Sequence, residues 1–175
     1  MIYTEENIEA FNEQARLKFP ENKKFFDRLK NKKIKKLDEA FHPVHDEVFD
    51  EVDCLKCGNC CKTTSPIFTD IDIDRIAKHL RIRPAQLVKE HLHLDSDGDY
   101  VLNSSPCTFL GADNYCSIYE FRPKACREYP HTDRKNIAGI LPLTLENTKV
   151  CPAVFEIVEQ LKKAGLGNKG GILDS

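Results

Sequence analysis

Residues 54–61 read Cys54-Leu-Lys-Cys57-Gly-Asn-Cys60-Cys61, and this stretch decides how the rest of the chain is interpreted. Spacers of two residues allow successive thiolates to curl around one centre, and bacterial ferredoxins present three ligands of an iron–sulfur cluster with the same C-x2-C-x2-C spacing. The close fourth cysteine of that pattern is missing here, so a fourth ligand has to come from Cys61 or from farther along the chain. Gly58 suits the loop, because a chain that wraps a metal often needs backbone angles that a side chain forbids.

The other cysteines lie downstream, and all eight fall within a window of 98 residues. Because Cys60 and Cys61 are adjacent, their sulfurs point in different directions on a strand or a helix. We therefore expect different roles for the two, either as ligands of two metal centres or as one ligand and one small apolar packing residue. The candidate metal ligands are all eight cysteines: Cys54, Cys57, Cys60, Cys61, Cys107, Cys116, Cys126 and Cys151.

Length and composition limit the reasons for so many cysteines. A chain of 175 residues can bury a core without disulfides. Its first residues lack the basic and apolar regions of a signal peptide, and its longest uncharged apolar stretch, residues 137–145, is far shorter than a membrane span. We expect a cytoplasmic protein with no membrane partner, in which reducing conditions disfavour disulfides. The net charge of −2 makes nucleic acid an unexpected partner.

Two kinds of metal centre fit the spacing. A four-iron (4Fe-4S) cluster accounts for the C-x2-C-x2-C run and for ligands from remote parts of the chain, so it is preferred modestly. Zinc is supported by the Cys54-x2-Cys57 pair, although a zinc ribbon would need a second such pair, and eight residues separate Cys107 from Cys116. A mixed site with His42 or His45 is conceivable, but these histidines more simply pair with nearby carboxylates.

The hydrophobic pattern predicts a mainly α protein with a small β-hairpin, an α+β fold in one compact domain organised around the cysteine site. Pro20 is expected to break the first helix, and a second is expected over about residues 22–41. Further helices are predicted after Thr69 or Asp70, from Pro84 toward His91 and from Pro152. Residues 91–94 and 100–102, joined by Asp-Ser-Asp-Gly-Asp, predict the hairpin.

The domain organisation follows the distribution of cysteines. Residues 1–53 contain none and are predicted to form a helical segment that packs on the domain. Residues 54–163 are predicted to be the metal-binding domain with a C-terminal helix, and residues 164–175 a flexible tail. The tail contains Gly165-x-Gly167-x-x-Gly170, but a dinucleotide-binding motif would follow a strand and open a helix, so we interpret these glycines as a helix end.

A basic stretch in the cysteine-free part suggests one alternative function. Six cations lie within nine residues, and we interpret them as a solvated helix face because acidic residues nearby offset them. The alternative is a zinc-stapled interaction module that uses this face. The six cations are Arg28, Lys30, Lys32, Lys33, Lys35 and Lys36.

Four ordered blocks of sequence carry a resemblance to a known family. The first is residues 54–61, and the chain resembles the CxxCxxCC cysteine-cluster family, also called YkgJ-like, from residue 54 to about residue 152. The resemblance implies zinc or iron chelation, and a related cysteine cluster in flagellin lysine methylases implies a methyl-transfer alternative. The other three blocks are Pro106-Cys107-Thr-Phe-Leu110, Tyr115-Cys116-Ser-Ile-Tyr119-Glu120-x-Arg122-Pro123 and Ala125-Cys126-Arg127-Glu-Tyr129-Pro130.

The function predicted from the sequence is metal chelation with a redox, electron-transfer or metal-handling role. The alternative is a metal-dependent oxidoreductase or a methyl-transfer accessory enzyme, so catalysis and catalytic residues stay open. The partners expected are the metal ion or cluster and an unidentified protein redox partner. Clustered thiolates carry negative charge, which Arg122, Arg127 and Lys124 can offset by donating hydrogen bonds to sulfur. For each cation, an ordinary surface ion pair is the alternative.

Overall fold

The computed structural model describes residues 5–32 and 36–168 of the chain. They form a mainly α protein with one small antiparallel hairpin, as predicted. They group into two compact units, one of residues 5–32, 36–53 and 130–168 and the other of residues 54–129. The domain division predicted at residues 53, 163 and 175 stays a prediction. The helices are α1 (Glu5–Lys32), α2 (Leu37–Glu51), α3 (Cys54–Cys57), α4 (Asn59–Thr63), α5 (Asp70–Leu80), α6 (Pro84–His91), α7 (Lys124–Glu128), α8 (Leu141–Asn147) and α9 (Pro152–Lys163), with 3-10 turns at Tyr119–Phe121 and Ile137–Ile140.

The first unit is built from α1, α2, α8 and α9. Its core includes Phe25, Phe41 and Leu161, all of which are fully buried. The ring of Phe11 meets the ring of Phe155 edge to face, with centroids 5.8 Å apart. The helix predicted from Pro152 is α9, and its apolar side chains lie in this core.

Pro20 does not break the first helix, so that prediction was wrong. Helix α1 continues through Pro20, and this proline is exposed. Phe11 and Ala15 before the proline, and Phe25 after it, are buried on one face. Because both halves of the helix bury apolar side chains, packing outweighs the one hydrogen bond that the proline removes.

The predicted helix over residues 22–41 is also divided differently. Its first part belongs to α1 and its last part to α2, which begins after Lys36 in the left-handed conformation, at a φ of 63°. Among the predicted basic residues, Lys33 and Lys35 lie outside the described residues, whereas Arg28, Lys30, Lys32 and Lys36 are exposed. Lys36 pairs with Glu39 at 3.2 Å, as expected for a solvated face.

Helix α2 is bonded to the segment that follows residue 130 in the same unit. The carboxylate of Asp38 accepts the N–H groups of Asn136 at 2.7 Å and Ile137 at 2.9 Å. The Nδ1 atom of His45 lies 2.7 Å from the hydroxyl oxygen of Thr132, and the His42 Nε2 atom lies 3.1 Å from the carbonyl oxygen of residue 134. Both histidines therefore serve as polar contacts within the first unit.

The second unit packs α5 and α6 against the hairpin. Strands β1 (Leu92–Leu94) and β2 (Tyr100–Leu102) form the predicted hairpin, with Leu92 opposite Leu102, and Gly98 takes a φ of 84° in the turn. Phe68 extends the hairpin by one bridge to Tyr100. The core of this unit is formed by Phe68, Ile73, Ile76, Ala77, Leu87, Leu92, Leu102, Phe109 and Ile118.

Two further observations concern the chain as a whole. Over residues 5–32 and 36–168, no helix combines the length with the apolar character that a membrane span requires. Gly165 and Gly167 both have a φ of 78° just after α9, which is how glycines end a helix. Residues 169–175 of the predicted tail, with Gly170, lie outside the described residues.

Candidate metal centre

The CxxCxxCC stretch consists of two short helical turns separated by one glycine. Helix α3 carries Cys54 and Cys57, and α4 carries Cys60 and Cys61. Gly58 between them has a φ of 56°, the left-handed conformation that a side chain disfavours. Its N–H donates to the carbonyl of Cys54 at 2.9 Å, so the chain reverses direction between the two cysteine pairs.

A second loop lies against this stretch through main-chain hydrogen bonds. The N–H of Cys107 donates to the carbonyl of Cys61 at 2.8 Å, and the Ser105 hydroxyl donates to the carbonyl of Lys62 at 2.9 Å. Asn114 lies over Gly58, where an added Cβ would come within 3.3 Å of its Oδ1 atom. Glycine is therefore needed at residue 58 both for its φ and for the close approach of Asn114.

The second loop folds back on itself between Cys107 and Cys116. Leu110 and Cys116 form an isolated antiparallel bridge, and the N–H of Ser117 donates to the carbonyl of Phe109 at 2.8 Å. The eight residues between the two cysteines thus form a narrow turn. Cysteines that the sequence separates are placed on one small structural element.

Three cysteines interact at sulfur with a nearby main-chain N–H. The N–H of Phe109 donates to the sulfur of Cys107 at 3.4 Å. Burial is the largest influence on the pKa of Cys57 and Cys116 and raises it, while the N–H groups of Asn59 and Ile118 act to lower it. In each case the donor is the residue two positions after the cysteine. A main-chain N–H directed at sulfur favours the thiolate, which is the form that binds metals.

The thiols of this unit act on one another electrostatically, and the charge of Cys61 acts on four of the others. Burial raises the pKa of Cys57, Cys107 and Cys116, and the charge of Cys61 raises each of them further. Burial, together with the charges of Cys61, Cys107 and Cys116, raises the pKa of Cys126 to about 12. Five thiols therefore lie close enough together that they cannot all ionise without a compensating cation.

Cys61 differs from its neighbours because its thiolate is favoured. A hydrogen bond from Cys60 lowers the pKa of Cys61 to about 7, burial opposes the change, and the charges of Arg122 and Lys62 support it. The sulfurs of Cys60 and Cys61 lie 4.0 Å apart. The adjacent pair therefore combines one easily ionised thiol with one hydrogen-bond donor.

A buried carboxylate fixes the segment that carries Arg122 and Cys126. The carboxylate of Asp72 accepts the Thr69 N–H and hydroxyl at 3.1 and 2.7 Å, and the Asp72 N–H donates to the Thr69 hydroxyl oxygen at 3.2 Å, which completes a capping box at the start of α5. Its other oxygen accepts Arg75 Nη2 at 2.5 Å and the N–H of Lys124 at 3.1 Å. Helix α7 is thereby joined to α5 at its first residue, two positions before Cys126.

Two of the eight predicted ligands differ from the rest in their surroundings. Cys54 is exposed on α3. Cys151 belongs to the first unit, where it precedes α9 and packs against the core of that unit.

No disulfide joins any of the eight cysteines, all of which lie in the described part of the chain. Within that part, no three side chains of His, Cys, Asp or Glu are placed so that they could hold a metal ion together.

Sequence reasoning missed two residues that shape the site. Asp72 could have been found, since Thr-x-x-Asp before an apolar helix is the signature of a capping box. Asn114 has no such signal, because its contact with Gly58 depends on a fold of residues distant in sequence. Of the three cations proposed from sequence, Lys124 pairs with Glu128 at 3.6 Å.

The comparisons with known proteins identify a family for this chain. One family model matches residues 53–152, that of the CxxCxxCC family, described as "Putative zinc- or iron-chelating domain". The matched residues contain all eight cysteines. Neither a curated protein nor a solved structure matches the chain.

Proposed function

The chain belongs to the CxxCxxCC family, and from this premise we propose that it binds iron or zinc through cysteine thiolates of residues 54–129. The family description supports chelation in general. The arrangement of the sulfurs supports a narrower statement about which cysteines take part.

The observation that carries the proposal is the main-chain N–H that acts on each of Cys57, Cys107 and Cys116 from the residue two positions later. At Cys107 it is a hydrogen bond of 3.4 Å to sulfur, and at Cys57 and Cys116 it acts to lower the pKa of the thiol. Hydrogen bonds of this kind stabilise thiolate ligands and adjust the potential of an iron–sulfur cluster. Three repetitions, on two loops that are hydrogen-bonded to each other, support a common role for these cysteines.

We assign the fourth position to Cys61. Its charge acts on Cys57, Cys107, Cys116 and Cys126, which supports a shared site that includes Cys61. Its own pKa of about 7 makes it the first of these thiols to ionise. Cys126 is a fifth candidate, and Cys54, Cys60 and Cys151 stay candidates from the sequence. The side chains would have to turn toward the metal as it binds, which couples binding to local folding.

The preferred occupant is a four-iron cluster, with a redox or electron-transfer role, and zinc is the alternative. The C-x2-C-x2-C spacing and the recruitment of ligands from a second loop support the cluster. Four thiolates would serve zinc equally well and would make the site structural. Either occupant requires reduced thiols, which is consistent with a cytoplasmic setting.

Anaerobic purification, followed by a visible spectrum and by analysis of iron, sulfide and zinc, tests the proposal. We expect a coloured protein with iron and sulfide in comparable amounts. A colourless protein with zinc and no sulfide would show that zinc, and not a cluster, occupies the site. A protein that takes up neither metal would refute chelation.

Substitution of single cysteines tests the ligand assignment. Cys57→Ser and Cys126→Ser should each lower the bound metal and the melting temperature of the metal-loaded protein, because metal binding is coupled to folding. Ser117→Ala is the matched control, since this hydroxyl donates to the carbonyl of Phe109 at 3.2 Å in the same loop. Full metal occupancy in a cysteine variant would remove that residue from the ligand set.

A further inference from the structure

The guanidinium of Arg122 is held in an unusual environment. It stacks on the ring of Tyr119, with its Cζ atom 3.6 Å from the ring centroid. Its Nε and Nη1 atoms are buried, and neither has a hydrogen-bond partner among the described residues. Buried N–H groups are nearly always paired, and an unpaired group on a cation is especially costly. These two donors therefore require an acceptor that the polypeptide by itself does not supply.

The sulfurs of the second unit lie within electrostatic range of this cation. The hydrogen bond with Cys60 is the largest influence on the pKa of Cys61, and burial is the largest influence on the pKa of Cys116 and Cys126. In all three, the charge of Arg122 acts to lower the pKa. Thiolate sulfur accepts hydrogen bonds from such donors in metal centres. The guanidinium is thus within electrostatic range of three thiols of the unit.

The two other cations proposed from the sequence are engaged elsewhere. Arg127 is exposed, and its Nη1 atom donates to the carbonyl of Arg122 at 2.8 Å. Lys124 is exposed and pairs with Glu128. The structure therefore distinguishes Arg122, whose Nε and Nη1 atoms are buried, from the exposed Arg127 and Lys124.

The main chain at Arg122 is fixed, so the guanidinium is preorganised. Its carbonyl oxygen accepts Arg75 Nη2 at 2.9 Å as well as Arg127 Nη1. Asp72 binds both Arg75 and the N–H of Lys124, two residues further along. A side chain that is stacked on a ring and anchored through its backbone loses little entropy when it donates to an acceptor.

We propose that Arg122 is a positioning residue of the metal centre, whose Nε and Nη1 groups donate to thiolate sulfur in the loaded site. This inference rests on the proposed function. The guanidinium offsets the negative charge of several thiolates around one metal, so the protein with Arg122 holds the anionic complex more tightly than a variant without it.

Titration of the metal-free, reduced protein with zinc(II) and cobalt(II) tests the inference. Cobalt reports thiolate coordination through its charge-transfer absorption. Arg122→Gln should weaken binding of both metals by about 10- to 100-fold, as is usual when a partner of metal ligands is removed. Arg122→Lys keeps the charge but not the two donors and should fall in between. Arg83→Gln is the matched control, because Arg83 is an exposed arginine of the same unit, and it should bind both metals as the wild type does.

Melting of the metal-free protein separates this role from a merely structural one. Because a buried cation with unpaired donors is removed, Arg122→Gln should melt no lower than the wild type without metal, while its gain in melting temperature on adding zinc should shrink. A lower melting temperature without metal, together with unchanged affinity, would assign Arg122 to packing on Tyr119 and overturn the inference.

The outcomes distinguish the inference from the function on which it rests. A wild-type protein that binds neither zinc nor cobalt overturns the proposed function, and the inference with it. A wild-type protein that binds them and an Arg122→Gln variant of equal affinity overturn the inference alone. If Arg122→Gln fails to fold, Arg122→Lys decides, since wild-type affinity in that variant also contradicts the inference.

Discussion

Replacing Asp72 by asparagine should destabilise the second unit more than any other isosteric change to one of its carboxylates. The side chain is 1% exposed, and each of its oxygens accepts two donors. Asparagine keeps one of the oxygens and replaces the other with an NH2 group. That group would face either the donors of Thr69 or those of Arg75 and Lys124, so one pair of hydrogen bonds is lost in any orientation.

The magnitude follows from the kind of bond that is lost. Breaking a buried ion pair typically costs about 3–5 kcal/mol. The side chain of Arg75 is 28% exposed, so water recovers part of the loss. Because the substitution also retains one pair of hydrogen bonds, we expect a decrease of about 2–3 kcal/mol in the free energy of unfolding.

The pH dependence gives the same prediction a second signature. Burial alone would raise the pKa of Asp72, but its bonds to Thr69, Arg75 and Lys124 outweigh burial and lower it below the ordinary value. A depressed pKa contributes stability that is present above the unfolded value, near pH 4, and is lost as the pH falls through the folded value. The difference in stability between wild type and Asp72→Asn should therefore narrow below about pH 4.

Urea denaturation at neutral pH, followed by circular dichroism, measures the effect. Asp74→Asn is the matched control, because Asp74 is exposed on the same helix. That control should stay within about 0.5 kcal/mol of the wild type. An Asp72→Asn variant as stable as the control, or a gap that widens in acid, would contradict the reasoning.

Three further substitutions should have measurable effects on stability. Gly58→Ala forces a left-handed alanine whose side chain pushes against Asn114, so we expect the free energy of unfolding to fall by at least about 1 kcal/mol. Adding Asn114→Ala in the same chain should restore only the steric part of that decrease. Asp38→Asn should lower the free energy of unfolding by about 1–2 kcal/mol, because it leaves one main-chain N–H without its acceptor. The neighbouring substitution Glu39→Gln should change the free energy of unfolding little, and equal effects of the two would contradict this account. Leu161→Ala empties part of the core of the first unit and should cost about 2–5 kcal/mol by denaturant titration, and a loss below 1 kcal/mol would show that the core closes around the gap.

Local signals in the sequence predicted most of the second unit. Thr69 begins α5, Pro84 opens α6 at its first turn, and the Asp-Ser-Asp-Gly-Asp turn closes the hairpin. Each of these signals acts over a few residues through backbone angles or capping. Such features are visible in the sequence because they need no contact with a distant part of the chain.

The first helix shows where this reasoning fails. A proline lowers helix stability locally, and the sequence indicated a break at Pro20. The burial of Phe11 and Phe25 on either side of it depends on partners such as Phe155, which is far away in the chain. Tertiary packing of this kind outweighs local propensity and leaves no trace near the proline.

The site was predictable in its chemistry but not in its geometry. Cysteine spacing indicated thiolate chemistry and named the candidate ligands, whose direct test stays with metal analysis. The hydrogen bond from Cys107 to Cys61 and the contact of Asn114 with Gly58 join residues distant in sequence. The sequence also could not tell Arg122 from Arg127, because the two differ only in what surrounds them.

The N–H groups directed at Cys57, Cys107 and Cys116 have a consequence for how the site can vary. They belong to the main chain of Asn59, Phe109 and Ile118, so any residue except proline at those positions keeps the donor. This part of the electrostatic environment is therefore almost insensitive to point substitution. The charge of a side chain, in contrast, can be changed by a single codon, so side-chain cations are the adjustable part of a site whose baseline is set by the backbone.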